Sequence, residues 1–264
     1  MRGGCGATRL LGEVAGAVAS TCSRRSSASS LGLGARHHLA SDTSASRGGA
    51  GRRRRRAVWT FGDPADGRLG RERGDHALPY PVEGGLDAPV AAALGGLSGA
   101  AVDAAGFAWT WGGGELGGPP RERLELGSER AVGVAAGGGR TMFATDAGRA
   151  WEEDARPARG GVLSPPLPAS GRPLSPVAGL PGTVVAVACG EEHAAALTAE
   201  GDVWTWGDDK RGQLGRAGGA GWGRRALFGG AREPGRVENA AAVEAVFAGP
   251  WSESRNAVRA GGLT

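Results

Sequence analysis

The clearest strand pattern lies between Val184 and Gly215, where Val185, Val187 and Cys189 alternate with the smaller Ala186 and Ala188. Three short extended runs are predicted there: Val185 to Cys189, His193 to Thr198, and Asp202 to Trp206. Apolar residues at every second position are typical of β-strands. The side chains of the first two runs are mostly small, which favours strands packed on both faces. The stretch therefore predicts a compact sheet of short strands.

Glycine marks the corners of this stretch, and tryptophan marks its last strand. Ala199-Glu200-Gly201 predicts a tight turn in which Gly201 supplies a positive φ angle. Trp204 and Trp206 are two residues apart, so both side chains point to the same face of the strand. Such a pair can anchor the sheet against a neighbouring one.

The same pattern recurs along the chain. Residues 90–112 align with 185–207 without gaps, and residues 132–154 align equally well until the last strand. We assign repeat copies to residues 57–70, 90–127, 132–154, 184–215 and 243–264. The first of these matches only the end of the unit, and the last matches only its beginning. The full copies start 42 and 53 residues apart. Repeats of this length, each with about four short strands, are typical of a β-propeller.

The alignment of the copies selects a common set of positions: glycines at strand ends and turns, tryptophans in the last strand, and a histidine opening the second strand. These positions are Gly62, Gly70, Gly95, Gly106, Trp109, Trp111, Gly112, Gly137, Gly148, Trp151, Gly190, His193, Gly201, Trp204, Trp206, Gly207, Gly212 and Gly215. We interpret them as structural positions of the repeat. In the third copy, Glu153 and Asp154 replace the second aromatic residue and the closing glycine.

The unit V-x-V-A-C-G-x-x-H-x-x-A-L-T-x-x-G-x-V-W-T-W-G-x-x-x-x-G-Q-L-G resembles the repeat of the regulator of chromosome condensation family. The resemblance extends from about Ala57 to the C-terminus. The chain also contains pieces of that family's inter-blade proline-valine element, at residues 78–82, 175–177 and 233–237.

This resemblance implies an all-β, partial propeller of about three full blades and two half-blades. The family typically closes seven blades. The two fragments are complementary, so they would form one composite blade if they were joined. A truncated gene product, degenerate blades within long loops, and a ring completed by a partner remain alternative explanations for the short count.

Residues 1–56 differ in composition from the rest. They are rich in Arg, Ser, Ala and Gly, contain only Glu13 and Asp42 as acidic residues, and end in the run Arg52–Arg56. This composition predicts a disordered leader that is an organelle transit peptide, directed to the mitochondrion, with the chloroplast and then the nucleus as alternatives. The arginine run also fits a nuclear import signal or a nucleic-acid tail. No stretch reaches the roughly 18 apolar residues of a membrane-spanning helix.

Removing this leader changes the charge balance. It contains 11 of the 31 basic residues and 2 of the 27 acidic ones, so residues 57–264 carry a net charge of −5. Neutralising nucleic-acid phosphates requires clustered positive charge. On this count the propeller is a poor general nucleic-acid binder.

Catalytic and ligand-binding constellations are not found in the sequence. Cys5 and Cys22 lie in the leader and Cys189 lies in a predicted inner strand, which argues against a disulfide framework or a metal cluster. His193 is expected to face inward and bond backbone between blades. The equivalent positions hold Ser98 and Arg140, so no ring of histidines is predicted, and His37 and His38 lie in the leader. We therefore predict no cofactor, metal or small-molecule substrate.

These observations favour a non-enzymatic interaction module that binds a protein partner through its propeller loops. A membrane is not predicted as a partner. Organellar relatives of the family assist RNA processing or complex assembly, so an RNA-associated complex is a second kind of partner. The resemblance also implies two alternatives. The founding member exchanges guanine nucleotide on the small GTPase Ran. The plant ultraviolet-B photoreceptor uses stacked tryptophans between G-W-R-H-T motifs, which residues 221–225 match only faintly.

Overall fold

The computed structural model describes residues 28–33, 37–42, 57–112, 119–154, 173–209, 212–216, 231–238, 243–247 and 257–260. Within these ranges the regular structure is four four-stranded antiparallel sheets, one two-stranded sheet and two short 3-10 turns. No helix among these residues is both long and apolar enough to cross a bilayer.

The strands follow one another in chain order within each sheet. The first sheet contains β1 (Ala28–Leu33), β2 (His37–Asp42), β3 (Ala57–Gly62) and β4 (Tyr80–Pro81). The second contains β5 (Pro89–Leu94), β6 (Ser98–Asp103), β7 (Ala108–Gly112) and β8 (Arg121–Glu122). The third contains β9 (Ala131–Ala136), β10 (Arg140–Thr145), β11 (Ala150–Asp154) and β12 (Ser175–Pro176).

The fourth sheet contains β13 (Val184–Cys189), β14 (His193–Thr198), β15 (Val203–Gly207) and β16 (Ala231–Arg236). The fifth contains β17 (Val243–Phe247) and β18 (Ala257–Ala260). The 3-10 turns span Ala65–Gly67 and Leu124–Leu126.

The first strand of each sheet contacts the first strand of the next: β1 with β5, β5 with β9, β9 with β13, and β13 with β17. The sheets are therefore the consecutive blades of a partial propeller, with the first strands innermost. This confirms the predicted fold class. The three runs predicted between Val184 and Gly215 correspond to β13, β14 and β15 within one residue.

The fourth strands coincide with the proline-valine elements. β4 contains Pro81, β12 contains Pro176 and β16 contains Pro234. Proline lacks an N–H donor, so it is tolerated on an edge strand. These elements therefore form the outer edges of their blades.

The core lies between the sheets. All six residues of β6, β10 and β14 are buried, which confirms that the small-residue strands pack on both faces. Met142 and Phe143 are adjacent in β10 and have opposite neighbours: Met142 packs with residues of the fourth sheet, such as Trp206, and Phe143 with residues of the second, such as Val102. Each middle blade is thus held from both sides by a single strand.

The first sheet is more complete than the repeat alignment predicts. Its strands β1 and β2 lie within residues 1–56, so the boundary predicted at residue 56 cuts through this sheet. The composite blade is also not formed, because β3 pairs with β2 and β4, while β17 pairs with β18. The other residues of the predicted leader lie outside the described ranges.

Candidate functional site

The turns after the innermost strands bring neighbouring blades into backbone contact. The Gly96 N–H donates to the Gly137 carbonyl at 2.8 Å, and the Gly138 N–H donates to the Gly190 carbonyl at 3.3 Å. A Cβ added at Gly95 would meet the Gly137 carbonyl oxygen, and one added at Gly137 would meet the Gly190 carbonyl oxygen. Glycine is thus required at these positions because a side chain would hold the blades apart. We call Gly95, Gly137 and Gly190 the inter-blade glycines.

The residue that opens the second strand occupies one register position in every four-stranded sheet. Ser98 pairs with Gly112, Arg140 with Asp154, and His193 with Gly207. His37 pairs with Gly62 in the same way. His37 therefore belongs to this set, whereas sequence reasoning placed it in the leader.

The three members with described side chains are buried and differ in their contacts. Ser98 Oγ lies 3.4 Å from Thr141 Oγ1 of the next blade. Arg140 Nη1 lies 2.8 Å from Glu152 Oε1. The His193 imidazole lies against Gly190, where a Cβ would collide with it. The expected hydrogen bond from His193 to backbone between blades stays a prediction.

A threonine closes the turn that follows the third strand in two blades. Thr60 Oγ1 donates to the Leu69 carbonyl at 2.6 Å, and Thr205 Oγ1 donates to the Leu214 carbonyl at 2.8 Å. Both leucines are fully buried. The sequence W-T-[FW]-G followed by G-x-L-G therefore folds into a hydrogen-bonded clasp within one blade.

The third blade replaces this clasp with carboxylates. Glu152 stands where Thr205 stands in the fourth blade. It pairs with Arg140 and accepts a hydrogen bond from Trp206 Nε1 of the fourth blade at 3.0 Å. Next to it, Glu153 accepts from Arg123 Nη1 of the second blade at 3.2 Å. The repeat therefore loses its sequence pattern where the structure places one ion pair and one hydrogen bond between blades.

Arg123 joins several elements from a side chain that is only 4% exposed. Besides Glu153, it donates to Thr110 Oγ1 at 3.2 Å and to Glu125 Oε1 at 3.1 Å. Sequence reasoning did not select Arg123, because its partners come from three separate parts of the chain.

The predicted tryptophans serve as packing residues. Trp111, which is 3% exposed, donates its Nε1–H to the Arg68 carbonyl of the first blade at 3.0 Å. Trp206 makes the corresponding contact with the third blade. Trp109 and Trp151 donate to the carboxylates of Asp103 and Glu129. Trp204, at the position of Trp109, is partly buried in β15. The second tryptophan of a repeat therefore anchors its blade to the preceding one, as predicted for Trp206.

The other predicted glycines lie at turns and strand ends. In the tight turn after the second strand, Gly201 has a φ of +84°, as predicted, and Gly106 and Gly148 match it at +87° and +72°. The remaining ones also have positive φ: Gly62, Gly70, Gly112, Gly207, Gly212 and Gly215.

An exposed segment, residues 72–80, follows the first blade's clasp and ends at Tyr80, the first residue of β4. Arg71 is buried beneath residues 72–80, all of which are exposed. Its guanidinium donates to the carbonyls of Arg73 at 2.6 Å and Leu78 at 3.3 Å, and lies 5.2 Å from the centroid of the Tyr80 ring. Leu78 and Tyr80 are 52% and 41% exposed. Sequence reasoning missed Arg71. The available signal was Arg216, which follows G-x-L-G at the same position.

Groups that commonly carry chemistry are sparse in the described part of the chain. No cluster of three or more His, Cys, Asp or Glu residues there could hold a metal ion. Cys189 is buried, and its Sγ lies 3.8 Å from the Ala135 carbonyl oxygen. Residues 155–172 and 217–230, which include the faint G-W-R-H-T match at 221–225, lie outside the described ranges.

Part of the sequence matches known proteins. Residues 184–213 match the model of the regulator of chromosome condensation (RCC1) repeat. The human E3 ubiquitin-protein ligase HERC2 is 32% identical over 177 residues, which cover 60% of this chain and 4% of that protein. The regulator of chromosome condensation of Xenopus laevis is 32% identical over 139 residues, which cover 48% of this chain and 32% of that protein.

Two solved structures share the fold. Human WBSCR16 superposes with a TM-score of 0.63 and 22% identity, covering 84% of this chain and 56% of that one. Prp20p of Saccharomyces cerevisiae superposes with a TM-score of 0.60 and 18% identity, covering 88% and 56% respectively. The chain thus spans a third or less of these curated relatives and about half of each solved propeller. Residues 184–213 therefore match the regulator of chromosome condensation repeat, and the chain shares the fold of these two solved structures.

Proposed function

We propose that this protein is a non-enzymatic scaffold that binds protein partners through its propeller loops. We further propose that it acts inside an organelle, the mitochondrion. The observation that carries the proposal is where the polar side chains lie. Arg123, Arg140, Glu152 and Glu153 are engaged in contacts within and between blades. The blades therefore supply a rigid frame, and recognition falls to the loops.

The loop at residues 72–80 has the properties that favour protein binding. Arg71 holds its backbone from below, so little conformational entropy is lost when a partner binds. Leu78 and Tyr80 present apolar surface beside the charged side chains of Arg73 and Asp75. Apolar and aromatic anchors within a polar rim are typical of binding hot spots.

Proteins with the same fold support this reading. The yeast protein Prp20p has been studied for its binding to Gsp1p and histones, and it has also been crystallised bound to Kap60. These partners are known for Prp20p, and this chain covers 56% and 54% of the two Prp20p chains.

Affinity capture from cells that make the tagged full-length chain tests the scaffold. The Leu78→Ser, Tyr80→Ser variant is compared with Arg121→Ser, Glu122→Ser, which changes the exposed outer strand of the second blade. We expect a defined set of proteins that the loop variant loses and the control retains, with equal thermal unfolding of all three proteins. Recovery of no specific protein by the unmodified chain would contradict the scaffold. An equal set on both variants would place recognition on another loop.

The organellar location is proposed from composition. Residues 1–27 contain Arg2, Arg9, Arg24 and Arg25 and one acidic residue, Glu13, as in transit peptides. A fluorescent protein fused to the C-terminus of the full chain should accumulate in mitochondria. Accumulation in plastids would select the first alternative, and nuclear accumulation would contradict the organellar proposal.

Guanine-nucleotide exchange is the second candidate, favoured by the similarity to the regulators of chromosome condensation of Xenopus laevis and Homo sapiens. Release of labelled GDP from the small GTPase Ran, measured with and without the full chain, separates the two. The scaffold proposal predicts an unchanged release rate. Acceleration that saturates with the concentration of this protein would favour exchange activity.

Direct RNA binding is tested in the same preparation. An RNA-associated complex formed through protein contacts predicts weak binding of the purified chain to single-stranded RNA at physiological salt. Tight binding that weakens steeply with salt would instead show that arginines contact phosphates directly.

A further inference from the structure

We infer that the strands Ala28–Leu33 and His37–Asp42 belong to the first blade, so that any segment removed on import ends before Ala28 and the mature protein keeps the run Arg52–Arg56. The position of the cut rests on the organellar location proposed above. The place of residues 28–42 in the blade does not.

Strand pairing carries the inference. β2 pairs with β3 along its whole length, from His37 with Gly62 to Asp42 with Ala57. β1 pairs in turn with β2, from Ala28 with Asp42 to Leu33 with His38. The segment that was predicted to be a leader thus contains the two inner strands of a four-stranded blade.

The register is the one that the other blades use. His37 stands opposite Gly62 just as His193 stands opposite Gly207. The irregularity near the start of β1 recurs at the start of β5 and β13. In the sequence, Gly34-x-x-His37 matches Gly190-x-x-His193. The pairing therefore places the start of a full repeat near Ala28, and the Gly-x-x-His spacing is consistent with that start.

The inner strands also connect the blade to its neighbour. Both β1 and β2 contact β5 of the second blade. The third strand contributes Val58, which is 1% exposed, to a core shared with Leu94, Ala101 and Trp111. A cut after residue 56 would leave β3 with an unpaired edge and would remove the innermost strand of the blade, and exposed strand edges promote aggregation.

If residues 28–56 are kept, the mature protein no longer has the negative net charge that was counted for residues 57–264. From Ala28 to the C-terminus the chain has 27 basic and 26 acidic residues, a net charge of +1 in place of −5. The arginine run lies between β2 and β3 in the chain, so it stays attached to the blade on both sides. The mature propeller therefore carries its own cluster of positive charge.

The first experiment determines the N-terminus of the protein purified from organelles, by mass spectrometry of its terminal peptide. We expect it at or before residue 28. An N-terminus at residue 57 would overturn the inference. An N-terminus at Met1, with the protein outside organelles, would contradict the proposed location and leave the blade assignment to the second experiment.

The second experiment compares point variants of the full chain in thermal unfolding followed by circular dichroism. Leu39→Pro removes a backbone N–H in the middle of β2, opposite Thr60, whereas Leu10→Pro lies in the segment expected to be removed. We expect Leu39→Pro to lower the melting temperature by about 10 °C, and Leu10→Pro to leave it unchanged. If both variants had the same melting temperature as the unmodified chain, β1 and β2 would not be part of the blade.

Discussion

At the scale of single residues, the inter-blade glycines limit how closely two blades approach. Blades converge toward their innermost strands, so the turns after those strands meet backbone to backbone. Gly137 is in contact on both sides: its carbonyl accepts from Gly96, and its Cα faces the Gly190 carbonyl. A closely packed interior cannot absorb an added methyl group where both neighbours are backbone.

Gly137→Ala tests this at a single position. The added Cβ would overlap the Gly190 carbonyl oxygen, and we expect the free energy of unfolding to fall by about 3 kcal/mol. Gly133→Ala is the matched control in the same blade, since its Cβ would lie 3.7 Å from the Ala144 Cβ, an ordinary contact. Chemical denaturation of both variants provides the measurement. Equal stability of the two would mean that the blades can separate without cost.

At the scale of elements, blades close in two different ways. The first and fourth blades use a threonine-to-leucine hydrogen bond within the blade. The third blade has Glu152 and Glu153 instead and shares them with Arg140, Arg123 and Trp206. A largely buried carboxylate costs several kcal/mol unless it is paired. Glu152 is paired with Arg140 of its own blade, and Glu153 is paired with Arg123 of the second blade. We call the contacts of Arg123 with Glu153 and of Trp206 with Glu152 the seam. It links the third blade to the second and to the fourth.

A double-mutant cycle on Arg123 and Glu153 measures that link. Arg123→Met and Glu153→Met each leave a buried charge without this partner, and each should cost about 3 kcal/mol. The double variant should cost less than the sum by about 1–3 kcal/mol. The exposed pair Arg236 and Asp202, with side chains 60% and 30% exposed, is the control, with an expected coupling below about 1 kcal/mol. Additive costs at Arg123 and Glu153 would contradict the seam.

At the scale of the whole molecule, each blade is stabilised by the blades next to it. The fifth sheet packs Val243 and Val246 on Ala195, Leu197 and Val203 of the fourth sheet. The first sheet packs on the second through the core around Val58. Structures built from stacked repeats transmit a local loss of packing mainly to the adjacent unit.

Val246→Ala tests this transmission. Val246 is 5% exposed, and loss of its methyl groups should cost about 2 kcal/mol. Amide hydrogen exchange should accelerate in β14 and β15 and stay unchanged in β6, two blades away. Val185→Ala, at a side chain that is 40% exposed, is the control and should leave exchange unaltered in all three strands. Faster exchange in β6 would mean that the blades unfold as one unit.

The sequence by itself determined the strands and turns of the middle blades, the outer proline edges and the packing role of the tryptophans. These follow from local rules: alternation of side chains, glycine at corners, and the spacing of a repeated unit. Only the tertiary structure placed β1 and β2 in the first blade, because residues 43–56 separate them from β3 and interrupt the period. It alone also joined Arg123 to Glu153, 30 residues apart. Pairing across an insertion and ion pairs between blades depend on distances in space, and no local pattern encodes them.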